Sequence, residues 1–223
     1  MTTVILADGE FPLRPSLLAI LGETERVVCC DHGYKKWLRF AKAHPIKAKE
    51  VYAVGDFDTL EPRSPKGDVK FYHYAGQDDN DLTKSVHFCF EHGWMELVIL
   101  AATGLREDHT LGNISLLAEY LREQPLSKIE MLTDFGHMRA LSGKHSIDSF
   151  PSQQVSLFSM VPGKRLSVRG LQYPIENRTL DNWWQGTLNS ALANSFMVEV
   201  EEGGIVIVFQ THDTKEEEIK AKR

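Results

Sequence analysis

The apolar positions of this chain change rhythm near residue 144. Before that point, short unbroken apolar runs alternate with stretches whose apolar residues recur every three or four positions. The runs are VILAD (4–8), RVVCCD (26–31), EVYAVGD (50–56), ELVILAA (96–102) and KIEMLTD (128–134). Helical spacing is expected over Pro15–Leu21. It is also expected after Gly33, through Tyr34, Trp37, Leu38 and Ala41. A third helix is expected over Asp79–Glu91, with Leu82, Val86 and Cys89 on one face and Gly93 as its stop. A fourth starts near Asp108 and carries Leu111, Ile114, Leu117 and Leu121. After residue 144 the period of two takes over, in HSIDSF, QVSLFSM, RLSVRGLQY, SFMVEV and GGIVIVFQ, with Gly-, Pro- and Asn-containing turns between them.

Continuous runs separated by helices predict a parallel sheet covered on both faces. The fold class expected is therefore α/β: a Rossmann-like parallel-sheet domain over residues 1–142, followed by a small antiparallel β-sandwich over 143–212 and a charged tail, 213–223. Four of the five runs end in aspartate, at Asp8, Asp31, Asp56 and Asp134. In open α/β sheets ligands bind outside the carboxyl ends of the strands. These carboxylates are expected along one edge of the fold, although aspartate also serves turns and helix caps.

Composition narrows the function. The chain has 223 residues and a formal net charge of −6, which argues against a broad nucleic-acid surface. A polyanionic ligand would need a local basic pocket or a metal ion. The three cysteines, Cys29, Cys30 and Cys89, show no metal-ligand spacing, and their odd number does not suit a disulfide framework. They are expected as buried thiols in a reducing compartment. No stretch approaches the roughly 20 apolar residues of a membrane span, and a cytoplasmic protein is expected.

Three segments are polar where packing does not require it. The first is Gly55-Asp56-Phe57-Asp58. In a strand, residues i and i+2 point the same way, so both carboxylates would face one point. A hard cation such as Mg²⁺ relieves their repulsion, and Gly55 lets another chain or a ligand approach the backbone. The second is Gln77-Asp78-Asp79-Asn80-Asp81-Leu82-Thr83-Lys84, an acidic helix entrance. Asp81 shares a helix face with Asp78 and with Lys84; a carboxylate there could complete a metal site, and Lys84 could meet a phosphate. The third is Ala101-Ala102-Thr103-Gly104-Leu105-Arg106-Glu107-Asp108-His109, a strand-to-helix turn able to hold a phosphate through backbone N–H groups and the Arg106 guanidinium. Together they point to phosphate chemistry with Mg²⁺ and do not identify a substrate.

The order of these segments resembles the thiamine pyrophosphokinase (thiamine diphosphokinase) family. That family carries an Asp-Gly-Gly turn, Gly-Asp-Phe-Asp-Ser, Gln-Asp-x-Thr-Asp-x-x-Lys, Gly-Ala-x-Gly-Gly-Arg-x-Asp-His and a late Ser-Asn element. Here they correspond to Asp31-His32-Gly33, Gly55–Thr59, Gln77–Lys84, Ala101–His109 and Asn189-Ser190. Gly170-Leu171-Gln172-Tyr173-Pro174 resembles the family's GLKYPL. Ala101 and Leu105 stand where glycines are usual, and His32 replaces a glycine.

The resemblance implies transfer of a pyrophosphoryl group from ATP to thiamine, giving thiamine diphosphate and AMP. It also implies a homodimer with sites between subunits. By the same resemblance Asp56, Asp58 and Asp81 would hold Mg²⁺, and Gln77, Lys84 and Arg106 would position the triphosphate. Asp31, Asp108 and His109 would shape the ATP site, and Asp78 or Asp81 would accept the thiamine proton. Asn189 and Ser190 would bind thiamine. Trp183 and Trp184 either stack on its cationic ring system or belong to the sandwich core. The alternatives are a pyrophosphokinase for another ring alcohol, such as a hydroxymethyl-pterin, and a non-catalytic nucleotide or thiamine sensor.

Overall fold

A computed structural model describes residues 1–57, 69–74 and 79–213. The chain forms two compact units. One comprises the described residues within 1–116 and 126–134, the other those within 117–125 and 135–213.

In the first unit, β1 (Thr3–Leu6), α1 (Pro15–Glu23), β2 (Arg26–Cys30), α2 (Gly33–Ala43), β3 (Glu50–Gly55), β4 (Val69–His73), α3 (Asp81–Glu91), β5 (Glu96–Leu100), α4 (Glu107–Glu123) and β6 (Lys128–Leu132) follow in order. The helix α4 runs on into the second unit. The strands form a parallel sheet ordered β6-β5-β1-β2-β3-β4. The order leaves β1 in one direction toward β2 and in the other toward β5, which makes the ends of these strands the topological switch point where α/β sheets bind ligands.

All five expected runs are strands, and β4 is a sixth that the apolar pattern did not reveal. Its residues VKFYH are half-exposed along the sheet edge, so it lacks the continuous apolar signature of a doubly covered strand. The interior strands carry that signature because each side of the sheet is covered. Val4, Leu6, Val27 and Cys29 pack with Leu17 and Leu21 of α1 and Trp37 and Phe40 of α2. On the other face α3 brings Phe88 to 5.3 Å from the Tyr52 ring of β3. Burial of each such large apolar side chain contributes roughly 1.5–3 kcal/mol.

Helix ends follow local chemistry. Helix α1 begins at Pro15, where a missing N–H costs nothing. Asn80 caps α3 by accepting from Thr83 N at 2.9 Å, and Gly93 ends that stretch at φ +72°. The expected start at Asp79 thus moves to Asp81, because Asn80 is the cap.

The second unit contains β7 (Gly136–Leu141), β8 (Lys144–Asp148), β9 (Gln154–Ser159), β10 (Arg165–Arg169), β11 (Ile175–Thr179), β12 (Asn189–Ser190), β13 (Ser195–Val200) and β14 (Val206–Thr211), with a 3-10 turn at Trp183–Gly186. They form one antiparallel run, β12-β9-β14-β7, and a second sheet, β11-β10-β13-β8. One core cluster draws on both, with Val155, Leu157, Val206 and Val208 from the first and Ile147, Leu166, Val168, Phe196 and Val198 from the second. Alternation explains it, since β13 buries Phe196, Val198 and Val200 and exposes Ser195 and Glu199. Strand β7, which the apolar pattern left in the first domain, pairs along its whole length with β14. The charged tail from residue 214 lies outside the described residues. Among the described residues, no helix is long and apolar enough to cross a membrane.

Candidate active site

The carboxyl ends of β1, β2, β3 and β5 and the first turns of α3 and α4 surround a cavity of about 610 Å³. Its walls include Asp8, Asp31, Asp56, Asp79 and Asp81, together with Lys84, Arg106 and His109. The expected clustering of strand-end aspartates therefore holds for three of the four. Asp134 is the exception. Its carboxylate accepts from Leu13 N (3.0 Å) and Arg14 N (2.9 Å), just ahead of α1. It caps a helix whose own N-cap residue, Arg14, makes no side-chain cap.

Lys84 organises the acidic wall. It is 4% exposed and reaches Asp56 at 3.1 Å and Asp81 at 3.3 Å. Burial opposes its charge, but the two carboxylates outweigh that cost and raise its pKa. Asp81 does not show the fall that pairing alone would produce. Burial raises its pKa, and Asp31 and Asp56 add to the rise against the pull of Lys84. Among the described residues, Lys84 is the ammonium shared by Asp56 and Asp81, whereas Asp8 pairs with Lys36 at 2.8 Å. Among the described residues, the cavity walls carry more acidic than basic side chains.

Asp31 sharpens the point. Its backbone is at φ +34°, its Oδ2 pairs with His32 Nδ1, and its buried Oδ1 has no hydrogen-bond partner among the described residues. A Cβ on Gly55 would lie 3.0 Å from that of Asp31. The close approach that Gly55 permits is thus by Asp31 itself.

The loop after β5 forms the opposite wall. It is tied to the β1 end by Gly9 N to Ala101 O (2.7 Å) and Glu10 N to Thr103 O (2.8 Å). Ala101 and Leu105 have φ of +56° and +67°. The loop therefore keeps, at both positions, the left-handed backbone that glycine would supply. Arg106 makes a two-point pair with Asp108 (3.1 and 2.5 Å), and both are exposed. Asp108 also accepts from His109 N. The Arg106 guanidinium holds the Asp108 carboxyl below its usual range.

Asp8, Asn80, Asn113 and Leu105 also line the cavity. Asn80 Nδ2 donates to Asn113 Oδ1 (3.2 Å), and Asn113 Nδ2 donates to Ala102 O (2.8 Å), which links the entrance of α3 to α4 and to the loop after β5. Asn113 sits inside a helix and carries no local sequence signal. Asp58, Gln77 and Asp78 lie outside the described residues.

The remaining expected site residues lie in the second unit. Asn189 is buried, and its amide is committed to Tyr173, accepting from its N–H (3.0 Å) and donating to its carbonyl (2.6 Å). Ser190 Oγ donates to Gln172 Oε1 (3.0 Å). Trp183, 39% exposed, packs edge-on against Phe158 at 5.8 Å, and Trp184 is 72% exposed.

Two family patterns match the chain. One, described as the thiamin pyrophosphokinase catalytic domain, covers residues 18–129; the other, the thiamin pyrophosphokinase substrate-binding domain, covers 136–209. The chain belongs to the thiamin pyrophosphokinase family. This family consists of ATP-dependent pyrophosphotransferases, and neither pattern favours the pterin or sensor alternatives. Among relatives, thiamine pyrophosphokinase of Bacillus subtilis (strain 168) is 26% identical over 79% of this chain and 82% of its own length. Thiamin pyrophosphokinase 1 of Caenorhabditis elegans is 27% identical over 57% of this chain; the match spans 56%, just over half, of that protein. The fold matches the crystal structure of the Bacillus subtilis protein, with TM-score 0.74, 23% identity and coverage of 96% of this chain and 100% of that one. It also matches thiamin pyrophosphokinase from Candida albicans, with TM-score 0.76, 18% identity and coverage of 95% and 89%.

Proposed function

We propose that this chain transfers the pyrophosphoryl group of ATP to the hydroxyethyl oxygen of thiamine, releasing AMP. The observation that carries the reading is the acidic cavity at the strand ends, where Asp56 and Asp81 pair with buried Lys84 and Asp31 lines the same wall. A triphosphate entering this cavity meets repulsion unless a cation comes with it. Carboxylate oxygens are hard donors suited to Mg²⁺, and the Oδ1 of Asp31, unpartnered among the described residues, fits that need. Asp56 and Asp81 would hold the ion, with Asp58 as the third carboxylate carried over by resemblance. Bound there, Mg²⁺ would offset the negative charge of the phosphate oxygens.

The residues of the chain supply position. Lys84 offers a fixed ammonium at the phosphates. Arg106 exchanges its exposed partner Asp108 for a phosphate edge, a contact its planar fork suits. The thiamine oxygen bonds to the β-phosphorus as the bond from that phosphorus to the oxygen bridging to the α-phosphate breaks; AMP leaves with that oxygen. The hydroxyl proton goes to a carboxylate of the cluster, Asp78 or Asp81. Positioning and electrostatics account for most of the rate.

In the second unit, Trp184 offers the more open aromatic face to the thiamine cation, while Trp183 is held on one side by Phe158. Asn189 supports the thiamine site through Tyr173 rather than by direct contact. A homodimer with sites between subunits belongs to this reading; exposed Tyr173, Leu188 and Leu192 provide apolar surface for it. A cytoplasmic setting accords with three free, buried cysteines. The test of the metal assignment is Asp56→Asn. Turnover in Mg²⁺ should fall at least a hundredfold on the scale of a lost transition-state contact, and a loss of only a few-fold would remove Asp56 from the metal site.

A further inference from the structure

Two leucines, Leu105 and Leu188, combine a left-handed backbone with an exposed side chain, and of the two Leu105 lies at the cavity. Its backbone is left-handed at φ +67°, a conformation that disfavours any side chain with a Cβ. Strain of this kind persists where the surroundings over-determine it. Here the side chain is 75% exposed, so the protein alone recovers little from it. The same side chain lines the catalytic cavity. Ala101, the other left-handed alanine or leucine of the loop, is only 5% exposed and has packing to hold it.

The location indicates which part of a ligand is involved. Leu105 follows β5, whereas Asp56 follows β3, and β1 and β2 lie between them. Three strand spacings amount to roughly 14 Å, comparable to the reach of an extended nucleoside triphosphate. With the terminal phosphates drawn to Asp56, Asp81 and Lys84, and Arg106 left to the phosphate nearest the ribose, Leu105 faces the nucleoside end of the nucleotide.

We propose that Leu105 is a binding residue for the nucleoside end of ATP, its apolar surface being covered by the ribose and base when the nucleotide binds. The proposal rests on the reading of the cavity as the ATP site. It separates two effects of one residue, because affinity follows the side chain whereas stability follows the backbone.

The test compares the full-length wild type with Leu105→Ala and Leu105→Gly. Alanine removes the contact and keeps the left-handed strain; glycine removes both. ATP affinity and the KM for ATP should weaken by about five- to tenfold in both variants, the fold-change from leaving roughly half a leucine uncovered. The kcat should stay within about twofold of wild type. The KM for thiamine and inhibition by inorganic tripolyphosphate, which has no nucleoside, should not move. Leu105→Gly should melt at or above Leu105→Ala, by about 1–3 °C. Unchanged ATP affinity would overturn the proposal. So would an equal loss for tripolyphosphate or thiamine, or a change in oligomeric state that explains the loss. If the wild type binds ATP but makes no AMP, the functional reading fails while the binding comparison still decides Leu105. If it does not bind ATP, both fall.

Discussion

Replacing Lys84 with methionine removes the charge and nearly keeps the volume. At an effective dielectric of about 20, charges 3.1 and 3.3 Å apart attract by about 5 kcal/mol each. Most of that gross attraction offsets the cost of burying an ammonium on a side chain only 5% exposed. Loss of one partner of a fully buried pair costs about 3–5 kcal/mol, whereas an exposed pair contributes at most about 1 kcal/mol. Asp56 and Asp81 retain 25% and 38% exposure, so solvent screens the charges left behind. The expected loss is about 2–3 kcal/mol. For a chain of this size that lowers Tm by about 5–10 °C.

The pH dependence has a definite sign. Lys84 has a pKa raised above its ordinary 10.5, so its contribution is complete below 10.5 and is lost only as pH rises through the higher folded value. The deficit of Lys84→Met should therefore be the same at pH 7 and pH 9. Thermal unfolding of wild type, Lys84→Met, Asp56→Asn and the double variant, each without and with Mg²⁺, measures it. Mg²⁺ should stabilise Lys84→Met more than wild type, because it meets carboxylates that have lost their cation. A Tm within 2 °C of wild type, or a double variant showing the full sum of the single losses, would refute the account of Lys84 as the charge that holds this cluster together.

Two other substitutions separate support from chemistry. Asp134→Ala should cost about 1–2 kcal/mol, the loss of a helix cap, and leave kcat unchanged; urea unfolding beside a turnover assay checks both, and a large loss of kcat would return Asp134 to the site. Asn189→Ala should cost about 2–3 kcal/mol because it strands both backbone groups of Tyr173; a raised KM for thiamine with unchanged unfolding would instead mean direct contact.

The strands of the first unit were legible because parallel, doubly covered strands are continuously apolar. The edge strand β4 was not, because Lys70 and His73 break the run where solvent covers it. The helix entrance at Asn80 was readable as acidic and polar, but its cap lay one residue from the expected start. The site was partly legible in the same way. Aspartates at strand ends announced themselves by position, yet Asp134 shows that the same position can serve a helix cap. No local rule marks Asn113, which reaches the cavity from mid-helix, or the inward commitment of Asn189. Both depend on what another segment brings within hydrogen-bond range. Ala101 and Leu105 show the reverse: the glycine-type backbone remains although the glycines do not.

The central claim is that this cavity moves two phosphates at once. The most direct measurement incubates the purified full-length protein with ATP, Mg²⁺ and thiamine and identifies the nucleotide product. The expected product is AMP, formed only when thiamine is present and in step with thiamine diphosphate. Thiamine-dependent ADP would mean single phosphoryl transfer and would contradict it.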